Sequence, residues 1–270
     1  MSELIHTTRK WLKNARQTLK AVSVTELQQT LLDPIKWYEN PESRPLGSPP
    51  ITDRVTVAAL LHGNYRLLAE TLVLDGKPEA AFQYAYLAAA ATERAFFLSR
   101  QETVSNPAVD ADIKRGRGNA EAICGLLAVN EWEKAEAFAK FAEPIYYALL
   151  TGDDAFAAKL VSMLPDTPPA DVMRREVYFT GVIFCKAIFS AILRGDAQAL
   201  QTALEERISL YRRLPWDYTT VLDLSSVAFI KMARRRGINV SLDIAEIPQC
   251  FLDSAAHSAL HLPDMLDLSK

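Results

Sequence analysis

Four histidines are available for proton transfer or metal binding: His6, His62, His257 and His261. His257 and His261 stand four apart, which on a helix puts both rings on one face, with Asp253 and Asp264 close by. Imidazoles beside carboxylates are zinc-type donors. The pattern lies in the C-terminal tail and has no distant fourth ligand, so a solvated tail is the better reading and no metal site is assigned. Asp153-Asp154 and Glu205-Glu206 are carboxylate doublets, but neighbours on a helix diverge by about 100° and cannot share a reacting atom. They read as cap and surface charges. Lys114-Arg-Gly-Arg-Gly118 has the composition of an RNA-touching segment, although two units are few and glycine more often marks a loosened helix start. Arg212, Arg213, Trp216, Asp217 and Tyr218 gather at one helix junction. Arginines beside aromatics are typical of interface hot spots, and packing of both rings into a hairpin is the competing reading. There is no Gly-x-Ser-x-Gly elbow, Walker loop, His-Glu-x-x-His or Gly-x-Gly-x-x-Gly. No catalytic set and no cofactor site emerges.

The whole chain sets limits on what these residues can do. Its 270 residues carry 30 Lys+Arg against 33 Asp+Glu, a net charge of −3, so no general positive field gathers nucleic acid. Hydrophobic residues at 49% and charged residues at 23% are globular values that argue against disorder. Ten glycines are too few for a turn-rich β-sandwich. Cys124, Cys185 and Cys250 are far apart and flanked by apolar residues, which fits small hydrophobes in a reducing compartment. No secretory apolar region follows the basic residues of 1–20, so a cytoplasmic location is expected. Leu4, Ile5, Trp11, Leu12, Ala15 and Leu19 form the stripe of a packed first helix. Val177 to Leu193 is apolar but short for a bilayer and holds Lys186 near its centre. It reads as a buried helix with Lys186 reaching out to water, and no membrane association is expected.

Helix signals dominate. Ser23 and Glu26 make a capping box, and Asn40 to Pro50 is a loop by composition. That loop divides an N-terminal helical arm, 1–50, from a main body, 51–270. Helices are expected over 52–74, from Pro78 to about Ser99, from Asn106-Pro107 to Val129, and over 217–236. Asn130 caps off the helix that reaches Val129, with Glu133 three residues on in capping-box spacing. Gly237 suits a C′ position, and Arg234, Arg235 and Arg236 complement the negative helix end. Ile238, Val240 and Leu242 alternate with polar residues as a short extended segment, and helix fragments are expected near 248–260. Asp75-Gly-Lys-Pro, Asn130-Glu-Trp-Glu, Gly152-Asp-Asp-Ala and Gly195-Asp-Ala-Gln each place a polar turn before an alanine-bearing helix. This is the mark of αα-hairpins. The expected fold is all-α: stacked antiparallel helical hairpins in an irregular tetratricopeptide-like solenoid or bundle.

Leu214-Pro-Trp-Asp-Tyr218, the helix after it, Arg235-Arg-Gly-Ile-Asn-Val-Ser-Leu-Asp243 and Ile247-Pro248 together resemble the end of the immunity protein 49 family. Gly76-Lys-Pro-Glu-Ala-Ala81 with Phe96-Phe97-Leu98 is similar to its early hairpin. Tyr147 to Ala155 with Leu164-Pro165, and Ala191 to Asp196 running on to Tyr211, are similar to its middle and penultimate pairs. The likeness covers roughly 55–252, with 235–248 its specific portion. Asn239 stands where the family often has proline, and Asp243-Ile-Ala-Glu246 replaces a more acidic run.

The resemblance implies an all-α bacterial protein that neutralises a cognate toxin by stoichiometric binding rather than turnover. Lacking an export signal, it would meet a toxin acting in the cytosol. Candidate partner-binding residues are Arg212, Trp216, Asp217, Tyr218, Asp243 and Glu246, the acidic ones suited to capture of a basic toxin. The alternatives are a tetratricopeptide-like adaptor holding a cellular peptide and, behind it, a helical-bundle hydrolase using scattered acids or His62. Oligomeric state is left open.

Overall fold

The computed structural model describes residues 23–48, 50–116, 118–166, 175–211, 221–240, 242–253 and 262–266. Among them the regular elements are all helical. They are α1 (Val24–Glu39), α2 (Arg54–Leu74), α3 (Pro78–Leu98), α4 (Pro107–Lys114), α5 (Asn119–Ala128), α6 (Trp132–Ala142), α7 (Pro144–Thr151), α8 (Asp154–Ser162), α9 (Arg175–Arg194), α10 (Ala197–Tyr211), α11 (Leu224–Arg235) and α12 (Gln249–Asp253), with 3-10 turns at Pro41–Ser43 and Asp264–Leu266.

Local chemistry sets the helix ends. The Ser23 hydroxyl accepts from the Glu26 amide at 3.0 Å while the Glu26 carboxylate accepts from the Ser23 amide at 2.8 Å, so the capping box forms in full. Asp53 caps α2 by accepting from Thr56 N at 2.7 Å, and Asn106 caps α4 ahead of Pro107. The helices end on a recurring turn. After α2 the Lys77 amide reaches Leu72 O at 2.8 Å, after α9 the Asp196 amide reaches Ala191 O at 2.9 Å, and after α11 the Ile238 amide reaches Ala233 O at 2.9 Å. Each bond spans a glycine at positive φ, namely Gly76, Gly195 and Gly237. These are Schellman closures, which satisfy the last carbonyls and reverse the chain for an antiparallel return.

Asn130 builds the same turn without a glycine. Its φ is +64°, its own amide bonds Leu127 O at 3.1 Å, and the Glu131 amide bonds Leu126 O at 2.9 Å. Asn130 therefore terminates α5, as expected, whereas its capping-box spacing to Glu133 is not used: α6 starts at Glu131 with no side-chain cap. Asparagine tolerates the left-handed region and so serves here as the C′ residue. The helix expected from 106 to 129 is likewise two helices. Gly116 and Gly118, at φ +68° and +85°, break it into α4 and α5.

Sequential pairs α2–α3, α5–α6, α7–α8 and α9–α10 pack against each other. One apolar core joins them, running from Leu31 of α1 to Leu266. The 40–50 loop thus separates α1 from the rest in sequence but not in space. Helix α5 lies between α3 and α11 and is buried at Asn119 and from Ala122 to Ala128. Helix α11 is buried from Ser226 to Ala233 and also meets α9. It begins at Leu224, not near 217, because Asp223 supplies the cap by accepting from Ser226 N at 3.1 Å. Residues 221–223 are non-helical and 212–220 lie outside the described residues. Ile238, Val240 and Leu242 form no strand; their side chains fill the core from an irregular segment. Among the described residues no helix is long and apolar enough to cross a membrane.

Candidate functional site

Several hairpin ends meet on one side of the stack. The last turns of α7, α9 and α11 and the first turns of α6 and α8 surround a cleft of about 620 Å3. Three C-termini and two N-termini face it, so the helix dipoles there largely offset and the side chains set the charge. Ile192, Met232 and Ile238 line it from the buried side, and Arg194, Arg235, Arg236, Asp154 and Trp132 stand around it.

Arg234, Arg235 and Arg236 end α11, and each turns to a different element because successive side chains diverge around a helix. Arg234 donates to Leu252 O at 3.3 Å and lies 3.5 Å from the Asp253 carboxylate, holding α12. Arg235 places its guanidinium carbon 4.8 Å from the ring centroid of Trp132 on α6. Arg236 donates to Leu149 O at 2.8 Å and pairs with Asp154 at 2.8 Å, fastening the α7–α8 turn. Asp153 caps α8 through Phe156 N at 3.0 Å. The doublet at 153–154 is thus a cap and an ion-pair partner.

The core also holds a polar interior. Arg207 and Asp223 form an ion pair at 3.2 Å, and Ser226 donates its hydroxyl to Asp223 at 2.6 Å. Cys124 is fully buried beside the Tyr146 hydroxyl, at 3.4 Å, and burial pushes its thiol up to about 12. Burial also raises the Glu143 carboxyl to about 7. Lys231 is buried too: its ammonium donates to Ala128 O at 2.5 Å and Asn130 Oδ1 at 2.8 Å, and burial lowers it to about 8. These groups tie α5, α7, α10 and α11 together. A thiol so strongly held protonated is a poor nucleophile.

A second cavity, about 340 Å3, lies between α2, α3 and α4 and includes His62, Asp112 and Glu121. His62 Nδ1 sits 2.8 Å from Thr92 Oγ1 and 3.0 Å from Ala88 O, bridging α2 to α3. Glu121 pairs with Arg66. Thr92 is engaged both by the ring and, at 3.4 Å, by Ala88 O of its own helix.

The residues singled out from sequence divide sharply. Arg212, Arg213, Trp216, Asp217 and Tyr218 lie outside the described residues, as do His6, His257 and His261. Asp243 is exposed. Glu246 is only 2% exposed, in the turn whose carbonyl accepts from the Asp223 amide at 2.8 Å, so it is removed from the surface that would capture a basic partner. Lys186 does not extend into open water; it donates to Leu164 O at 2.8 Å and pairs with Asp166 at 2.7 Å. Among the described residues no group of three or more His, Cys, Asp or Glu is placed to hold a metal ion. Trp132, Arg194 and Arg235 were not singled out as a site. Their shared signal is position: each stands at a helix boundary, and the hairpin register brings those boundaries to one end.

Comparison of the chain with protein-family models, curated proteins and solved structures finds no match.

Proposed function

We propose that this protein is an immunity protein that neutralises a cognate bacterial toxin by stoichiometric binding, in the cytoplasm and without turnover. The observation that carries this reading is the fate of Arg235, Arg236 and Ile238. These three residues begin the segment that most resembles the immunity protein 49 family, and they stand in the wall of the 620 Å3 cleft. Arg235 is exposed and stacked on Trp132, an arginine–aromatic pair of the type enriched at binding hot spots. The supporting arginines on either side are fixed to other helices, so the surface is pre-organised and little ordering cost remains on binding. A specific complex here would cover ~800 Å2 of this chain.

The test is co-expression with the product of the adjacent open reading frame. Rescue of growth, and a complex of fixed stoichiometry on size exclusion, are expected. Failure of both, or measurable conversion of a substrate by the isolated chain, removes the reading.

A further inference from the structure

We propose that the cleft between α6, α7, α9 and α11 seats an acidic, apolar-flanked segment of the partner protein, with Arg194 and Arg235 binding its carboxylates and Trp132 and the cleft wall taking the adjoining hydrocarbon. This rests on the reading of the chain as a partner-binding protein and names the chemistry its partner presents.

The three arginines around the cleft are not equivalent. Arg236 is committed to Asp154 and to Leu149 O. Arg194 and Arg235 are exposed, and neither meets a carboxylate among the described residues. Three guanidinium groups against the one carboxylate of Asp154 leave this cleft positive on a chain of net charge −3. Its place over the Trp132 ring holds the Arg235 fork before any ligand arrives, and a guanidinium held against a ring face still has N–H groups to offer a bidentate carboxylate. Ile192, Met232 and Ile238 are buried and supply an apolar wall that a bare anion would leave wet. The volume suits a few side chains rather than a whole helix. A nucleotide would bring the same negative charge, but Arg235 already lies over the Trp132 ring and takes stacking surface from a base.

Full-length protein is titrated by calorimetry with the peptide acetyl-Asp-Leu-Glu-Leu-amide, its Asn/Gln counterpart, and adenosine monophosphate. The acidic peptide is expected to bind, to weaken as salt rises, and to weaken about tenfold or more in an Arg194→Ala/Arg235→Ala variant. The neutral peptide is expected not to bind. Absence of acidic-peptide binding, equal binding of the two peptides, an unaffected double variant, or binding of the nucleotide alone overturns the proposal. Both arginines are exposed, so an unchanged circular-dichroism melt shows that the variant is folded; Arg194→Glu with Trp132→Phe gives an independent second variant. The toxin co-expression separates the two readings. Capture of the toxin by the double variant as well as by wild type sinks this inference alone, whereas no capture by wild type sinks the proposed function.

Discussion

Arg207 of α10 and Asp223 at the head of α11 face each other at 3.2 Å with side chains only 5% and 3% exposed. Burial pushes the Asp223 carboxyl up, but the Arg207 charge and the Ser226 bonds outweigh it and hold the group below the usual carboxylate range. Asp223→Asn keeps the shape and removes the charge that faces the buried Arg207 guanidinium, which costs about 3–5 kcal/mol. Urea melts at pH 7 should show that loss. Because the folded value lies below the unfolded one, the stabilisation is complete above about pH 4 and fades as pH falls through the folded value. Wild type should lose it on acidification, and the variant should show a flatter acid limb.

A tight contact sits between α3 and α5. A Cβ added at Gly125 would stand 2.8 Å from Ala89 Cβ, closer than carbon atoms pack. Gly125→Ala gains helix propensity of ~1 kcal/mol yet forces two buried helices apart, an overpacking cost of ~1–3 kcal/mol. A net loss of thermal stability is expected, and Ala89→Gly in the same chain should restore part of it. A melting temperature above wild type for the single variant would show that the helices can separate freely.

Glu143, between α6 and α7, supplies a pH signature of the opposite sense to Asp223. Its folded value of about 7 lies above the ordinary carboxyl value of 4.5, through burial. The folded state therefore holds the proton more tightly, and stability falls as pH rises from about 4.5 to 7, by on the order of 2 kcal/mol. Glu143→Gln should abolish that slope and be the more stable protein at pH 8. Parallel denaturation curves for both proteins across that range would refute the assignment.

The thiols should separate by rate. Cys124 is fully buried and pushed up to about 12, and Cys185 to about 11, both by burial, while Cys250 is half-exposed and less perturbed. A disulfide reagent at pH 8 is expected to modify Cys250 first and to reach Cys124 only after denaturant is added. Cys250→Ser should remove the fast phase. Rapid labelling of Cys124 in native protein would show that α5 is not sealed.

The hairpin architecture was legible because its punctuation is local. Gly76, Gly195 and Gly237 each follow a helix whose length and apolar spacing are plain, and a left-handed residue there has one structural meaning. The helix end at Asn130 was legible too, but its spacing to Glu133 suggested a second cap that does not form. An asparagine between two helices can cap the second or end the first, and here Lys231, far along the chain, binds both its side chain and the Ala128 carbonyl. The cleft was not legible. Arg234, Arg235 and Arg236 look alike as a helix-end cluster, and only packing sends them to Leu252, Trp132 and Leu149. Glu246 looked like a surface acid because nothing near it in sequence reveals that its turn folds over the start of α11.

The placement of α11 has a consequence for biosynthesis. The segment that plugs the middle of the molecule is translated late, after every helical pair it touches except the short α12. Until residues 224–235 leave the ribosome, the inner flank of α5 faces solvent with its greasy side bare. A nascent polypeptide of this design is therefore most prone to clumping, and most in need of a chaperone, just before residues 224–235 emerge.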